Sequence, residues 1–124
     1  MNPKVMLIED DPTMMSLLTT LMHFEGFETA TIKSDESLDA MMADIRQEMP
    51  DVILLDVHLG RINGLDLLSA VRQDKKTSRI GVIKSSGMDV SKRCMELGAD
   101  AFILKPFMPE DLIQEIRQVI SKTE

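Results

Sequence analysis

The chain has 124 residues, 44% of them hydrophobic and 28% charged, and a net charge of −7. That length buries one core and not two. The acidic balance argues against direct nucleic-acid binding, which needs Lys and Arg to neutralise phosphates, and against docking on an anionic membrane.

Four Phe with no Tyr or Trp leave little with which to stack bases. Cys94 is the single cysteine, so an intrachain disulfide and a Cys-based zinc site are both excluded. Its neighbours Val90 and Leu97 are apolar at helical spacing, which predicts a buried, inert thiol. Met1-Asn2-Pro3-Lys4 leads into an apolar stretch too short for a signal peptide, and no apolar run approaches a membrane span. A cytoplasmic protein of one domain, residues 1–124, is expected.

In chain order, short apolar runs alternate with amphipathic stretches. Val5-Met6-Leu7-Ile8 reads as a first strand. Asp11-Pro12 then opens a helix, with Asp as N-cap and Pro at the first helical position. Met14, Leu17, Leu18 and Leu21 form its apolar face, His23 lies on its surface, and Gly26 fits a left-handed residue after it. A second strand is predicted over residues 27–32. The next helix takes Ser34 as its cap and turns Leu38, Met41, Met42 and Ile45 inward, ending before Pro50. Val52-Ile53-Leu54-Leu55 is the third strand; Leu65, Leu67, Leu68 and Val71 mark the third helix. A fourth strand covers residues 80–83, followed by a short helix with Val90, Cys94 and Leu97, closed by Gly98. Ala101-Phe102-Ile103-Leu104 is the fifth strand. The last helix begins at Pro109, with Glu110 and Asp111 at the positive end of its dipole and Leu112, Ile116, Val119 and Ile120 facing the core.

Four of the five strands are continuously apolar, as parallel strands covered on both faces are. Five strand–helix units predict a doubly wound α/β domain with right-handed crossovers, whose ligands sit at the carboxyl ends of the strands. Those ends carry the reactive side chains. The first strand runs into Glu9-Asp10-Asp11, the third into Asp56, the fourth into Ser85-Ser86 and the fifth into Lys105. In the flavodoxin-like order 2-1-3-4-5 the first and third strands are neighbours, so Glu9, Asp10 and Asp56 converge, with Ser86 and Lys105 on the far side. Three clustered carboxylates repel one another. A hard divalent cation relieves that repulsion, and Mg²⁺ takes one or two carboxylates while keeping its waters. Asp56 is then placed as a nucleophile towards phosphorus, with Lys105 and the Ser86 hydroxyl offsetting charge on the transferring oxygens. Asp11 is read as the helix cap, not as a ligand.

The ordered set Leu7-Ile8-Glu9-Asp10-Asp11, Asp51-Val52-Ile53-Leu54-Leu55-Asp56 with Gly64 beyond it, Ser86-Gly87, Gly98-Ala99-Asp100 and Lys105-Pro106-Phe107 resembles the receiver domain of two-component response regulators. The resemblance covers essentially the whole chain. It implies Asp56 as phospho-acceptor from a histidine kinase or a histidine phosphotransfer protein. It further implies Mg²⁺ held by Asp10, Asp56 and the His58 backbone carbonyl, with Glu9 acting largely through water. Ser86 and Phe102 become the switch pair, with Ser85 as the alternative hydroxyl, and Lys105-Pro106 is expected to be cis. A stand-alone receiver is expected, which acts on a separate downstream output protein.

Four departures from the family pattern stand out. Gly60 and Gly81 occupy positions where Pro is common, and Lys84 sits inside a strand expected to be buried, where it must snorkel or pair. The stretch from Ser86 to Lys105 is about one helical turn shorter than usual, which truncates the fourth helix. Met6, Met14, Met41 and Met42 fall on core faces, whereas Met15, Met88 and Met108 are expected to rim the site as a soft apolar collar for the phosphodonor. The His58 side chain, beside Asp56, is a candidate for tuning the lifetime of the phosphoryl group. Two other readings compete. A receiver-like scaffold that is never phosphorylated would not need the acidic cluster. A haloacid-dehalogenase-like phosphatase carries its nucleophile at the end of the first strand. The six glycines form no GxGxxG or GxxxxGK[ST] pattern.

Overall fold

The structure, a computed structural model, describes residues 2–33, 36–56, 58–59 and 62–123. Five strands, β1 (Lys4–Ile8), β2 (Glu28–Thr31), β3 (Val52–Asp56), β4 (Gly81–Ser86) and β5 (Ala101–Leu104), form one sheet. All neighbours in it pair in parallel, in the order β2-β1-β3-β4-β5. The helices are α1 (Pro12–Phe24), α2 (Leu38–Glu48), α3 (Gly64–Gln73), α4 (Ser91–Glu96) and α5 (Pro109–Thr123). The predicted doubly wound architecture is the one found. A two-residue antiparallel pairing of His58–Leu59 with Ile62–Asn63 lies outside the sheet and was not foreseen.

The apolar strands split by alternation onto two cores. Met6, Ile8, Ile53, Leu55 and Val82 pack with Met41, Met42 and Ile45 of α2, Leu67, Leu68 and Val71 of α3 and Cys94 of α4. Val5, Leu7, Val52, Leu54 and Ile83 face Leu18 and Met22 of α1 and Leu112, Ile116 and Val119 of α5. Covering both faces leaves β1, β3 and β4 no exposed side, which is why their sequence does not alternate.

Helix ends follow the expected chemistry with one exception. The Asp11 carboxylate accepts from the Thr13 and Met14 amides at 2.9 and 3.4 Å. Gly26 and Gly98 take φ of +83° and +103°, where a Cβ would be strained. The second helix is capped not by Ser34, which lies outside the described residues, but by Ser37. Its hydroxyl accepts from the Ala40 amide at 3.1 Å, because the helix begins only at Leu38.

Two further expectations are corrected. Residues 27 and 32 flank β2 and do not extend it. Leu17, placed on the inward face of α1, is 62% exposed; Leu18 and Met22 are the buried residues of the helix, with Met14, Met15 and Leu21 partly buried against the same core. Gly81 has a packing role: a Cβ there would run into Val119 of α5, which lies directly over the start of β4. Among the described residues no helix is long and apolar enough to cross a membrane.

Candidate phosphorylation site at the strand ends

The parallel register brings the polar strand ends together. Ile8 pairs with Leu55 and Asp56 with Ser85, so the residues after β1 and the end of β3 meet at the same edge. Glu9, Asp10 and Asp56 each offer a carboxylate oxygen within 4.8 Å of the others, the one such group of three among the described residues. At that spacing each charge pair costs on the order of 3 kcal/mol in a partly screened environment. The donor set is all oxygen and formally −3, which fits a hard dication and not a soft metal.

Lys105, carried in from β5, partly offsets that repulsion. Its ammonium donates to Glu9 Oε2 at 3.1 Å and to Asp56 Oδ2 at 3.2 Å. Both acceptors are nearly closed to solvent, the side chains of Glu9 and Asp56 being 6% and 8% exposed. Burial pushes the Glu9 carboxyl above its usual range. The Lys105 hydrogen bond opposes that rise, and the Asp56 charge adds to it. For Lys105 burial acts to lower the pKa, but its hydrogen bonds to Glu9 and Asp56 outweigh burial and hold it above the ordinary value. The Lys105–Pro106 peptide is cis, as the resemblance implies.

Glu9 is therefore bound directly to Lys105, a contact that sequence reasoning missed. It also missed where Lys84 goes. Lys84 does not snorkel: it is 0% exposed, and its ammonium reaches the Asp56 backbone carbonyl at 3.5 Å. Desolvation pushes its pKa down to about 8, which still leaves it cationic at neutral pH. The signal was present, since a lysine inside an apolar strand must do something, but its partner lies on another strand.

The remaining predicted residues fall as follows. Ser86 is fully buried and its hydroxyl accepts from the Met88 amide at 3.1 Å. By strand alternation Ser86 shares the face of Val82 and Lys84, and Phe102 packs on that same core. Ser85, also buried, points to the opposite face with Ile83. Ser86, not Ser85, therefore shares its face with Phe102. Met15 lines a hollow with Glu9, Asp10, Ile32 and Met41, and Met88 and Met108 are 65% and 58% exposed. The His58 backbone pairs with Asn63; its side chain lies outside the described residues, as does Gly60. A second apolar hollow of about 280 Å³ runs from Lys105, Pro106 and Phe107 along Met14, Leu17 and Leu21 of α1.

Residues 5–117 match the family model described as the response regulator receiver domain. This chain belongs to that family. It is 32% identical over 125 residues to the DNA-binding response regulator MtrA of Mycolicibacterium smegmatis, covering 100% of this chain and 53% of that protein. To the transcriptional regulatory protein CpxR of Escherichia coli K12 it is 32% identical over 121 residues, covering 97% of this chain and 50% of that one. The chain thus spans about half the length of the curated relatives it matches. Among solved structures, a putative response regulator from Chloroflexus aurantiacus superposes with a TM-score of 0.87 at 23% identity, covering 98% of this chain and 99% of that one. The receiver domain of the sensor histidine kinase PA1611 from Pseudomonas aeruginosa, solved with a magnesium ion in its active-site cleft, superposes at 0.84 and 17% identity, with coverages of 98% and 99%. These likenesses establish the receiver fold. Asp56 ends the third strand, and nothing supports the phosphatase or the unphosphorylated scaffold.

Proposed function

We propose that this receiver domain is a phosphorylation-controlled signalling switch in which Asp56 accepts a phosphoryl group from a histidine kinase or a histidine phosphotransfer protein. The observation that carries the reading is the placement of the Asp56 carboxylate: at the end of the central strand, within 4.8 Å of two other carboxylates and hydrogen-bonded to Lys105 at 3.2 Å. In the transfer an Asp56 oxygen forms the new bond to phosphorus as the donor's bond to phosphorus breaks. Lys105, already held between Glu9 and Asp56, is placed to pair with the incoming phosphoryl oxygens. Asp10 and Asp56 would hold Mg²⁺ with the His58 carbonyl, and Glu9 would act through water. The ion would supply charge neutralisation at the phosphoryl oxygens. The domain would catalyse its own phosphorylation and dephosphorylation in the cytoplasm.

Ser86 and Phe102 would carry the state of Asp56 to the face of α4 and β5. An output partner would dock there, and the net charge of −7 argues against direct contact of the receiver itself with nucleic acid. Met15, Met88 and Met108 would meet the phosphodonor.

Incubation with Mg²⁺ and acetyl phosphate tests the core of this. Intact mass should show a single phosphoryl adduct, absent in Asp56→Asn. No adduct from either acetyl phosphate or a histidine kinase would leave only the unphosphorylated scaffold.

A further inference from the structure

Lys84 is not explained by the fold. Its side chain is among the largest fully buried ones in the molecule, at 0% exposure. It lies on the core face with Val82, Cys94 and Phe102. A buried ammonium is costly unless well paired, and its one hydrogen bond among the described residues, to the Asp56 carbonyl, is long at 3.5 Å. An apolar side chain of similar length would fill the position at lower cost. The position is telling: Lys84 pairs in register with Leu55 on one side and Phe102 on the other. It therefore reaches the acceptor residue from within the core, at its backbone carbonyl, whereas Lys105 reaches the carboxylate.

We propose that Lys84 is a positioning residue for phosphoryl transfer, acting through Asp56 by placing a fixed positive charge on the core side of the acceptor. The idea rests on the phosphorylation of Asp56 proposed above. Lys105 approaches the carboxylates from the rim and is partly open to solvent; Lys84 approaches from the core and is screened far less. Phosphorylation brings an anionic donor up to an already acidic cluster and adds negative charge to it. A buried cation favours both the approach and the product, and it opposes a second cation. In the transfer from acetyl phosphate the Asp56 oxygen–phosphorus bond forms, the acyl oxygen–phosphorus bond breaks and acetate leaves. Lys84 neither gives nor takes a proton in that step.

The charge makes a signed prediction. Lys84→Met removes charge and hydrogen bond while nearly keeping the volume; Lys84→Gln removes the charge but keeps a donor. Each is compared with the native protein at pH 7. The readouts are calorimetric Mg²⁺ titration, the rate of phosphorylation by acetyl phosphate at saturating Mg²⁺, and Tm. Both variants should bind Mg²⁺ several-fold more tightly and be phosphorylated roughly tenfold more slowly, with Tm of Lys84→Met equal to or above native. A purely structural role would weaken Mg²⁺ binding and slow phosphorylation together as Tm falls, and that result would overturn the proposal. So would rates within twofold of native in both variants, or native rates in Lys84→Gln alone, which would reduce the role to the hydrogen bond. If the native protein itself takes no phosphoryl group on Asp56, the proposed function falls first and this inference with it.

Discussion

At Asp10 the three-carboxylate cluster opens to solvent: Asp10 is exposed whereas Glu9 and Asp56 are largely covered. Lys105 hydrogen-bonds to the two covered ones, so the charge of Asp10 is the one that a bound cation has most to gain from. Mg²⁺ binding only the folded state at ten times its Kd stabilises by about 1.4 kcal/mol, a rise of roughly 5 °C in Tm for a chain of this length. Asp10→Ala should abolish that rise. The same substitution removes one member of a repelling cluster, so without Mg²⁺ the variant should melt at or above the native temperature. Differential scanning calorimetry with and without Mg²⁺ reads both signs at once. Glu9, Asp10, Asp56 and Lys105 were legible in the sequence because each follows an apolar strand and parallel strands share an end. The direct Glu9–Lys105 bond was not, since these residues follow β1 and β5, the second and last strands of the sheet, and no local pattern records which side chains reach across. Lys84 was legible only as an anomaly.

Among the elements, α5 packs tightly over the start of β4. Val119 occupies the space a Cβ would take at Gly81, and Val119 is itself buried. Gly81→Ala should therefore destabilise the domain by about 1–3 kcal/mol through overpacking, read by urea unfolding. Combining it with Val119→Ala should recover part of that loss, although Val119→Ala alone destabilises. The sequence marked Gly81 only as a departure from a common Pro, because the reason sits on a helix far along the chain. Element boundaries show the same division. Ser37, not Ser34, caps α2: both are good caps, but only Ser37 immediately precedes the first apolar helical residue, Leu38. Leu17 fits the helical period of the α1 core face and is nonetheless exposed, since the apolar stripe of α1 is wider than the strip that the sheet covers. Periodicity finds a stripe; it does not say how much of it is covered.

For the molecule as a whole, some of the exposed apolar residues border the site, whereas Phe24 at the end of α1 and Met49 after α2 lie away from it. Met88 and Met108 stand open beside Ser86 and Lys105, Met15 lines the hollow next to Asp10, and Leu17 extends the apolar surface along α1. Met side chains adapt to varied partners. Replacing Met15, Met88 and Met108 together with Gln should weaken phosphoryl transfer from a cognate kinase about tenfold or more and leave phosphorylation by acetyl phosphate within twofold. Equal loss with both donors, or none with either, would remove the collar.

The short fourth helix has a consequence of a different kind. α4 has six residues, no side-chain cap and one buried side chain, Cys94, whereas α5 runs for fifteen. Helices that short hold together only by packing, and segments with few buried contacts open at low free energy without unfolding the rest. Native-state hydrogen exchange should find the amides of α4 among the first to lose protection, well ahead of those of α5 and β3. A protein that binds across α4 would meet a surface that opens and closes, and would slow its exchange by holding it shut.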